Sequence, residues 1–163
     1  MPPTTSGDHR EWIDRYYRGH HRLLAAYAAT LVASRDEAED LVHEALAAML
    51  AVRHPIEMPE AYVYRAIRNR ARSRWRSGQR QQPSRSFEIE TGGAESADLE
   101  ALRGAIDTLD ADDAEVLVLH ARSRLTFPQI AAVCEQPLGT VSARYYRTIA
   151  ALRTMLVTEE THG

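Results

Sequence analysis

The sequence has no lysine, a single cysteine and no long apolar run, and the last two shortages each exclude a class of protein. One cysteine, Cys134, excludes an internal disulfide framework and a cysteine-rich zinc site. No segment approaches the ~20 apolar residues that a membrane-spanning helix needs. Residues 1–8 also lack the apolar core of a secretory signal. The sequence therefore predicts a cytoplasmic protein with no membrane insertion.

The lone cysteine has two interpretations. Cys134 could act as a redox sensor, because an accessible thiolate reacts with oxidants. A free cysteine also serves as a small buried apolar side chain, and this is its commoner role. We favour the buried role and keep the redox role as the alternative.

The charges are segregated along the chain. The 163 residues carry 20 basic and 23 acidic side chains, and every basic one is an arginine. Eight arginines and no acid fall within residues 61–87, whereas acids concentrate in residues 36–44, 88–100 and 107–115. The formal net charge of -3 therefore hides a strongly basic segment. This segregation predicts one surface for phosphates and other surfaces for different partners.

Apolar residues recur at helical spacing along most of the chain, and no alternating strand pattern is sustained. We expect a first helix over residues 10–32. A second helix should open with a capping box, in which Ser34 and Glu37 exchange side-chain to backbone hydrogen bonds. A third should begin at Pro59, since proline is well tolerated in a first helical turn. The fold class that this pattern predicts is all-α.

A polar segment divides the chain. Residues 77–93 are rich in Gly, Ser and Gln and have no hydrophobic period, which is typical of a flexible linker. We therefore predict two small helical domains, over residues 8–78 and 96–158, joined by a linker over residues 79–95.

The third helix combines arginines with aromatic residues. Asn69 lies among them and can offer a base edge both a donor and an acceptor. Arginine neutralises phosphate, and aromatic rings stack on unpaired bases at ~1–3 kcal/mol per base. This indicates a single-stranded nucleic acid, although Tyr64 and Trp75 could equally pack in a core. The basic residues that form one stripe, at spacings of three and four, are Arg65, Arg68, Arg72 and Arg76.

The second half shows the pattern of a helix-turn-helix. Asp110 can cap one helix, and Thr126 with Gln129 forms a capping box at the start of a short second one. A brief turn over residues 135–137 then leads to a final helix. Two short helices joined by a tight turn place the second in the major groove of duplex DNA. One half thus suits a single strand and the other a duplex.

A catalytic interpretation has little support. The sequence contains neither a phosphate-binding loop nor a Gly-x-Ser-x-Gly nucleophile motif. His43 and Glu44 beside Glu39 and Asp40 could be metal ligands, but a charged helix face opposite an apolar stripe explains them better. We therefore expect no enzyme activity, no catalytic residue, no metal and no cofactor.

Two segments of the first half carry distinct motifs, DEAEDLVHE over residues 36–44 and YVYRAIRN over residues 62–69. They resemble the signatures Asp-x-Ala-Glu-Asp-Leu-Val-Gln-Glu and Trp-Leu-Tyr-Arg-Ile-Ala-x-Asn of region 2 of bacterial sigma factors, the promoter-recognition subunits of RNA polymerase. The resemblance implies that the first segment docks on the clamp helices of the polymerase beta-prime subunit. It also implies that Asn69 and the loop before its helix capture a base flipped out of the minus-ten element.

The second half resembles sigma region 4. Residues 109–119, 126–131 and 137–144 are similar, in order, to the segments of that region in the extracytoplasmic-function (ECF, group 4) branch of the sigma-70 family. The resemblance implies that the last helix reads the minus-thirty-five element.

Three departures from the family pattern stand out. His43 occupies a position where glutamine is usual, and Ser142 with Ala143 replaces lysine and serine on the recognition helix. Glu135 replaces the usual turn glycine, so the turn must differ or hold a strained residue.

The resemblance implies three sets of contact residues. The set expected to bind core polymerase is Asp36, Glu39, Asp40, Leu41, His43 and Glu44. The set expected to bind minus-ten DNA is His54, Ile56, Glu57, Tyr64, Arg65, Arg68, Asn69, Arg72 and Arg76. The set expected to bind minus-thirty-five DNA is Thr126, Gly139, Thr140, Ser142, Arg144, Tyr145 and Arg147.

The implied function is that of a sigma factor, which binds core RNA polymerase, directs it to promoters and helps to melt the minus-ten element. The implied partners are the beta-prime clamp helices and beta flap of the polymerase, promoter DNA and an anti-sigma factor. The linker would let the two domains close on a partner or on each other. Two alternatives stay open: a stand-alone helix-turn-helix regulator, and an enzyme with a His/acid metal site.

Overall fold

A computed structural model describes residues 6–78 and 97–162, and within these ranges the chain is helical without a strand. The predicted all-α fold is confirmed. The linker predicted over residues 79–95 lies outside the described residues. A π-helical turn, Val118–Arg122, separates the fifth and sixth α-helices. The α-helices in chain order are α1 (Ser6–Ala29), α2 (Arg35–Leu50), α3 (Pro59–Arg76), α4 (Ala97–Asp107), α5 (Ala111–Leu117), α6 (Phe127–Cys134) and α7 (Leu138–His162).

The first domain consists of α1, α2 and α3. Helix α2 opens at the predicted Ser34, whose Oγ accepts a hydrogen bond from the Glu37 backbone N–H at 3.2 Å. The predicted capping box is only half formed, because the Glu37 side chain makes no return bond to the Ser34 N–H. Its apolar stripe is buried from Ala38 to Met49, and Leu50 at its end is 42% exposed. Pro59 occupies the first turn of α3, as expected. The stripe holds α2 against its neighbours, so the acidic side of that helix faces outward.

The second domain has its own small apolar cluster, which Ala105, Ile106, Leu109, Leu117 and Leu152 form between α4, α5 and α7. Asp110 stands at the N-cap of α5, but its side chain makes no capping hydrogen bond. The prediction that Asp110 caps this helix is therefore wrong in its chemistry, though right in its position. Its ψ of 150° still marks the point where the helix begins.

The helix-turn-helix is formed by α6 and α7. The predicted capping box is present, because the Gln129 N–H donates to Thr126 Oγ1 at 3.3 Å and the Thr126 N–H donates to Gln129 Oε1 at 2.8 Å. The turn contains Glu135 in the left-handed conformation, with φ 54° and ψ 44°. Glycine adopts this conformation without steric cost, whereas glutamate does not. Of the two expected outcomes for the turn, the strained residue is the one observed.

The two domains pack directly against each other. Helix α3 of the first domain lies along α6 of the second, and α1 contacts the π-helical turn. One apolar core therefore runs through both, from Leu24 and Ile67 in the first domain to Leu119, Ile130 and Val133 in the second. No helix in the described ranges is long and apolar enough to cross a membrane. We call this arrangement, in which the two domains pack against each other, the closed state. It determines which of the predicted contact residues are accessible to a partner.

We expect Thr126→Ala to lower the free energy of unfolding by about 1 kcal/mol, because it removes an N-cap acceptor and leaves a backbone donor unsatisfied. Thr126→Ser, which keeps the hydroxyl, should retain most of the stability. Urea denaturation followed by circular dichroism measures the difference. Equal stability of the alanine variant and the unchanged protein would show that the capping box contributes nothing.

Candidate nucleic-acid interface

The arginine-rich helix α3 has two faces with different environments. Tyr64 and Arg68 are buried toward the second domain, and Arg68 lines an interdomain cavity together with Arg72, which is itself exposed. Asn69 and Arg76 are exposed as well. The single stripe that the spacing predicted is therefore divided: one part is covered and the other faces solvent.

The covered face contains a buried ion pair between the domains. Arg68 Nε lies 2.7 Å from Glu115 Oε1, and the two side chains are only 6% and 12% exposed. The Tyr27 hydroxyl donates to the same Glu115 oxygen at 2.6 Å. We call Tyr27, Arg68 and Glu115 the interdomain triad. Its members come from α1, α3 and α5, so it joins three helices across the domain boundary.

The charge states of the three side chains in the triad stabilise one another. Burial lowers the pKa of Arg68, but the charge and hydrogen bond of Glu115, with smaller contributions from Cys134 and Tyr27, leave it raised overall, so the guanidinium stays charged. Burial, reinforced by the Glu115 charge, raises the pKa of the Tyr27 hydroxyl well above its usual value. Tyr27 therefore remains a neutral donor, and the carboxylate receives two hydrogen bonds in place of water.

A second buried contact between the domains, that of Tyr64 with Ser123, lacks a completed hydrogen bond. Tyr64 is 1% exposed, and burial raises the pKa of its hydroxyl. Ser123 of the second domain lies close enough to influence that pKa. Nevertheless, neither the Tyr64 nor the Ser123 hydroxyl completes a hydrogen bond within the described part of the chain. Unsatisfied buried hydroxyls are unfavourable, so this part of the interface opposes closure.

A cavity of about 100 Å³ lies between the domains. Arg68, Arg72 and Arg144 line it together with Asp112 and Glu115. It therefore brings arginines of both predicted DNA-binding surfaces to one place. The two acids offset two of these three arginines, so the lining keeps an excess of one positive charge.

The remaining arginines of α3 make contacts near the surface. Arg65 Nη2 lies 2.6 Å from Glu135 Oε1, and both side chains are about half exposed. Arg74 Nη2 lies 2.5 Å from Glu44 Oε1, and Arg70 Nε lies 3.9 Å from the other oxygen of Glu44. Exposed pairs of this kind contribute little to stability, about 0–1 kcal/mol. They can therefore be exchanged for contacts with a partner.

Helix α2 presents an acidic face. Asp36, Glu39 and Asp40 are exposed along it, whereas Leu41 is fully buried and supports the helix from beneath. His43 is exposed as well, with its Nε2 3.4 Å from the Tyr17 hydroxyl. Within residues 6–78 and 97–162, no group of three or more His, Cys, Asp or Glu side chains could hold a metal. The exposed acids therefore form a charged helix face above the buried Leu41.

The loop before α3 mixes exposed and buried residues. His54 and Glu57 are exposed, whereas Ile56 is buried at 9% and anchors the loop to the core. Met58 and Trp75, at the two ends of α3, are 39% and 61% exposed. Neither belongs to the predicted minus-ten set, although the aromatic character of Trp75 beside arginines was a signal for it.

The recognition helix α7 begins with accessible residues. Gly139 and Thr140 are exposed at its start, and the Ser142 hydroxyl donates to the Gly139 carbonyl at 3.2 Å. Tyr145 is half-buried, with its ring centroid 5.3 Å from that of Phe127. Its position indicates that Tyr145 orients the helix.

Acidic partners hold two arginines of the recognition helix. Arg144 Nη1 lies 2.9 Å from Asp113 Oδ1, and Arg147 Nη2 lies 3.8 Å from the same oxygen. Tyr146, which the predicted set lacks, is 64% exposed beside them. The sequence showed an acidic block at residues 107–115, but nothing in it indicated which arginines those acids would meet.

Comparisons with known proteins agree on one family. The family model for Sigma-70 region 2 matches residues 16–81, and that for Sigma-70, region 4 matches residues 99–152. The ECF RNA polymerase sigma factor EcfG of Rhodopseudomonas palustris (strain TIE-1) is 29% identical over 142 residues, which cover 82% of this chain and 78% of that protein.

Two solved structures are also similar. The sigma factor RpoE, crystallised with the anti-sigma factor NepR from Bartonella quintana, matches with a TM-score of 0.57 and 25% identity, over 87% of this chain and 96% of that one. CnrH, in complex with the cytosolic domain of CnrY, matches with a TM-score of 0.64 and 22% identity, over 94% and 92% of the two chains. The second likeness shows the fold alone.

We expect Cys134 to react slowly with iodoacetamide at about pH 8 in the native protein and rapidly in urea. Burial, reinforced by the Glu115 charge, raises the pKa of the Cys134 thiol from 9.0 to about 12. The native thiol should then hold roughly a thousandfold less thiolate than a thiol of ordinary pKa. Mass spectrometry of labelled samples measures both rates. Equal rates would contradict the buried role and favour the redox role.

Proposed function

The chain belongs to the sigma-70 family of RNA polymerase sigma factors, in its extracytoplasmic-function branch, and from this premise we propose how its residues divide the work of promoter recognition. As a sigma factor it directs core RNA polymerase to promoters. We place it in the cytoplasm, where the polymerase acts. The polymerase supplies the chemistry, so no residue of this chain has to be catalytic.

The acidic face of α2 is the proposed docking surface for the polymerase. Its exposed acids are Asp36, Glu39 and Asp40. Leu41, on the opposite side of the helix, is fully buried and anchors it to the core. A rigid, charged helix face suits the recognition of a basic helical partner such as the beta-prime clamp helices. His43 extends the same surface. Glu44 can join it once Arg70 and Arg74 are exchanged for a partner's cations.

The exposed side of α3 and the loop before it are proposed to bind the melted minus-ten strand. Asn69 and Arg76 face solvent on α3, and His54 with Glu57 presents polar groups from the loop. Arginine contributes the attraction to phosphates, while Asn69 can read a flipped base through its amide. Arg65 can join them when it leaves Glu135.

The start of α7 is proposed to enter the major groove at the minus-thirty-five element. Gly139 and Thr140 leave room for the groove wall, and Ser142, Arg144 and Arg147 follow along the helix. With no lysine in this segment, the phosphate contacts fall to the arginines. The capping box at Thr126 fixes the supporting helix α6.

An anti-sigma protein is the proposed regulator. The sigma factor RpoE, which is similar over most of both chains, was crystallised with the anti-sigma factor NepR. We infer that this chain has a partner of the same kind, which would cover the polymerase and DNA surfaces. The observation that carries the whole proposal is the match of both family regions, in order, to the two domains that present these surfaces.

We expect the purified protein to produce discrete transcripts with sigma-free core polymerase on fragments of its own genome. Asp40→Asn should weaken binding to the core by roughly 10-fold, since it removes a charge at the docking surface. Asp14→Asn is the matched control, because Asp14 is an exposed aspartate on α1 whose surface ion pair contributes little. Fluorescence anisotropy of labelled protein measures the affinity for the core.

Asn69→Ala should behave differently. It should bind core polymerase normally but lose most transcripts, because the amide is needed only when the strand opens. Run-off transcription and permanganate footprinting of unpaired thymines measure the two steps. Tight duplex binding by the protein alone, with no binding to the core, would contradict the proposal and favour a stand-alone regulator.

A further inference from the structure

The second domain covers part of the predicted minus-ten surface and does so through ion pairs. Glu115 holds Arg68 at 2.7 Å in a nearly water-free site, and Glu135 holds Arg65 at 2.6 Å near the surface. Tyr64, another predicted minus-ten residue, is 1% exposed under the same contact. In this arrangement Arg68 and Tyr64 cannot reach DNA.

The recognition helix is restrained in a parallel way. Asp113 lies 2.9 Å from the guanidinium of Arg144 and 3.8 Å from that of Arg147. Asp113 and Glu115 belong to the same short helix, α5. Carboxylates from one acidic helix therefore occupy arginines of both predicted DNA-binding surfaces, at distances that phosphate oxygens would otherwise take.

The closed state also contains unfavourable buried groups. The Tyr64 and Ser123 hydroxyls are buried without completed hydrogen bonds. Opening would let water reach both hydroxyls, whereas it would separate the buried charges of the interdomain triad. The balance between the two states therefore depends strongly on Glu115.

We infer that the free protein holds itself closed through the interdomain triad and thereby blocks its own minus-ten surface until polymerase binds. The blocking part of this inference rests on the proposed function, and the closed state itself does not. The acidic face of α2 remains exposed in the closed state, so polymerase can make first contact there. Completing the complex then requires the domains to separate.

The absence of lysine permits a direct test of closure. Arg65→Lys introduces the one side-chain amine in the chain, next to the Glu135 carboxylate. A zero-length carbodiimide should then form an amide between the two positions in the monomeric full-length protein, which mass spectrometry of the digest identifies. Arg65→Lys combined with Glu135→Gln is the negative control.

The triad is tested in the same background. Adding Glu115→Ala should reduce the cross-link yield several-fold, because Arg68 would be buried without a partner in the closed state. Asp107→Asn is the control, an exposed acid at the end of α4 that does not line the interdomain cavity, and it should leave the yield unchanged. If Glu115→Ala disturbs folding by circular dichroism, Tyr27→Phe serves instead, since it deletes only the hydroxyl that donates to Glu115.

The functional consequence is measured without the Arg65 substitution. If the open state is about a tenth of the population, Glu115→Ala should raise the apparent affinity for core polymerase by up to roughly 10-fold, and Asp107→Asn should not. Absence of the cross-link in the Arg65→Lys protein would overturn the closed state, and equal cross-link yields for Glu115→Ala and Asp107→Asn would overturn the role of the triad. A lower yield with unchanged core affinity would overturn the blocking role. Absence of core binding in every variant, with the cross-link intact, would refute the proposed function and leave the closed state standing.

Discussion

The carboxylate of Glu115 accepts hydrogen bonds from both the Tyr27 hydroxyl and the Arg68 guanidinium, and the arrangement of the two domains depends on this group. A charged pair is costly to remove from water, and it is tolerated only where further hydrogen bonds satisfy it. Tyr27 supplies that further bond from the core of the first domain. The pair therefore specifies one way of docking, which apolar contact between α3 and α6 would specify less sharply.

The same physical property explains both recognition and restraint in this chain. Arginine binds carboxylate and phosphate with similar geometry, so an arginine-rich surface that recognises DNA can also bind acids of its own chain. With arginine as its only basic residue, the protein makes every cation subject to this competition. The acidic helix α5 meets Arg68 on one side and Arg144 on the other. On the proposed docking face of α2, Glu44 takes part in this competition through Arg70 and Arg74, whereas Asp36, Glu39 and Asp40 are exposed.

Much of the local structure could be predicted from the sequence. Ser34, Thr126 and Gln129 act where capping chemistry placed them, and the apolar stripe of α2 is buried as its period indicated. The departure at Glu135 correctly indicated a strained turn. Asp110 shows the limit even of local inference, because its side chain makes no capping bond. The roles assigned to individual residues in polymerase and DNA binding stay predictions.

The sequence by itself determined the elements, their order and the two-domain division, because helical period, caps and breaks are properties of neighbouring residues. It could not determine which faces of α3 would be covered, since Arg68 and Glu115 are far apart in sequence and meet only after packing. Tyr64 was equally suited to a base or a core, and it is buried with its ring 5.3 Å from that of Tyr27 and with Ser123 of the second domain near its hydroxyl. Only the tertiary structure decides this, because burial and ion pairing depend on which surfaces exclude water from each other.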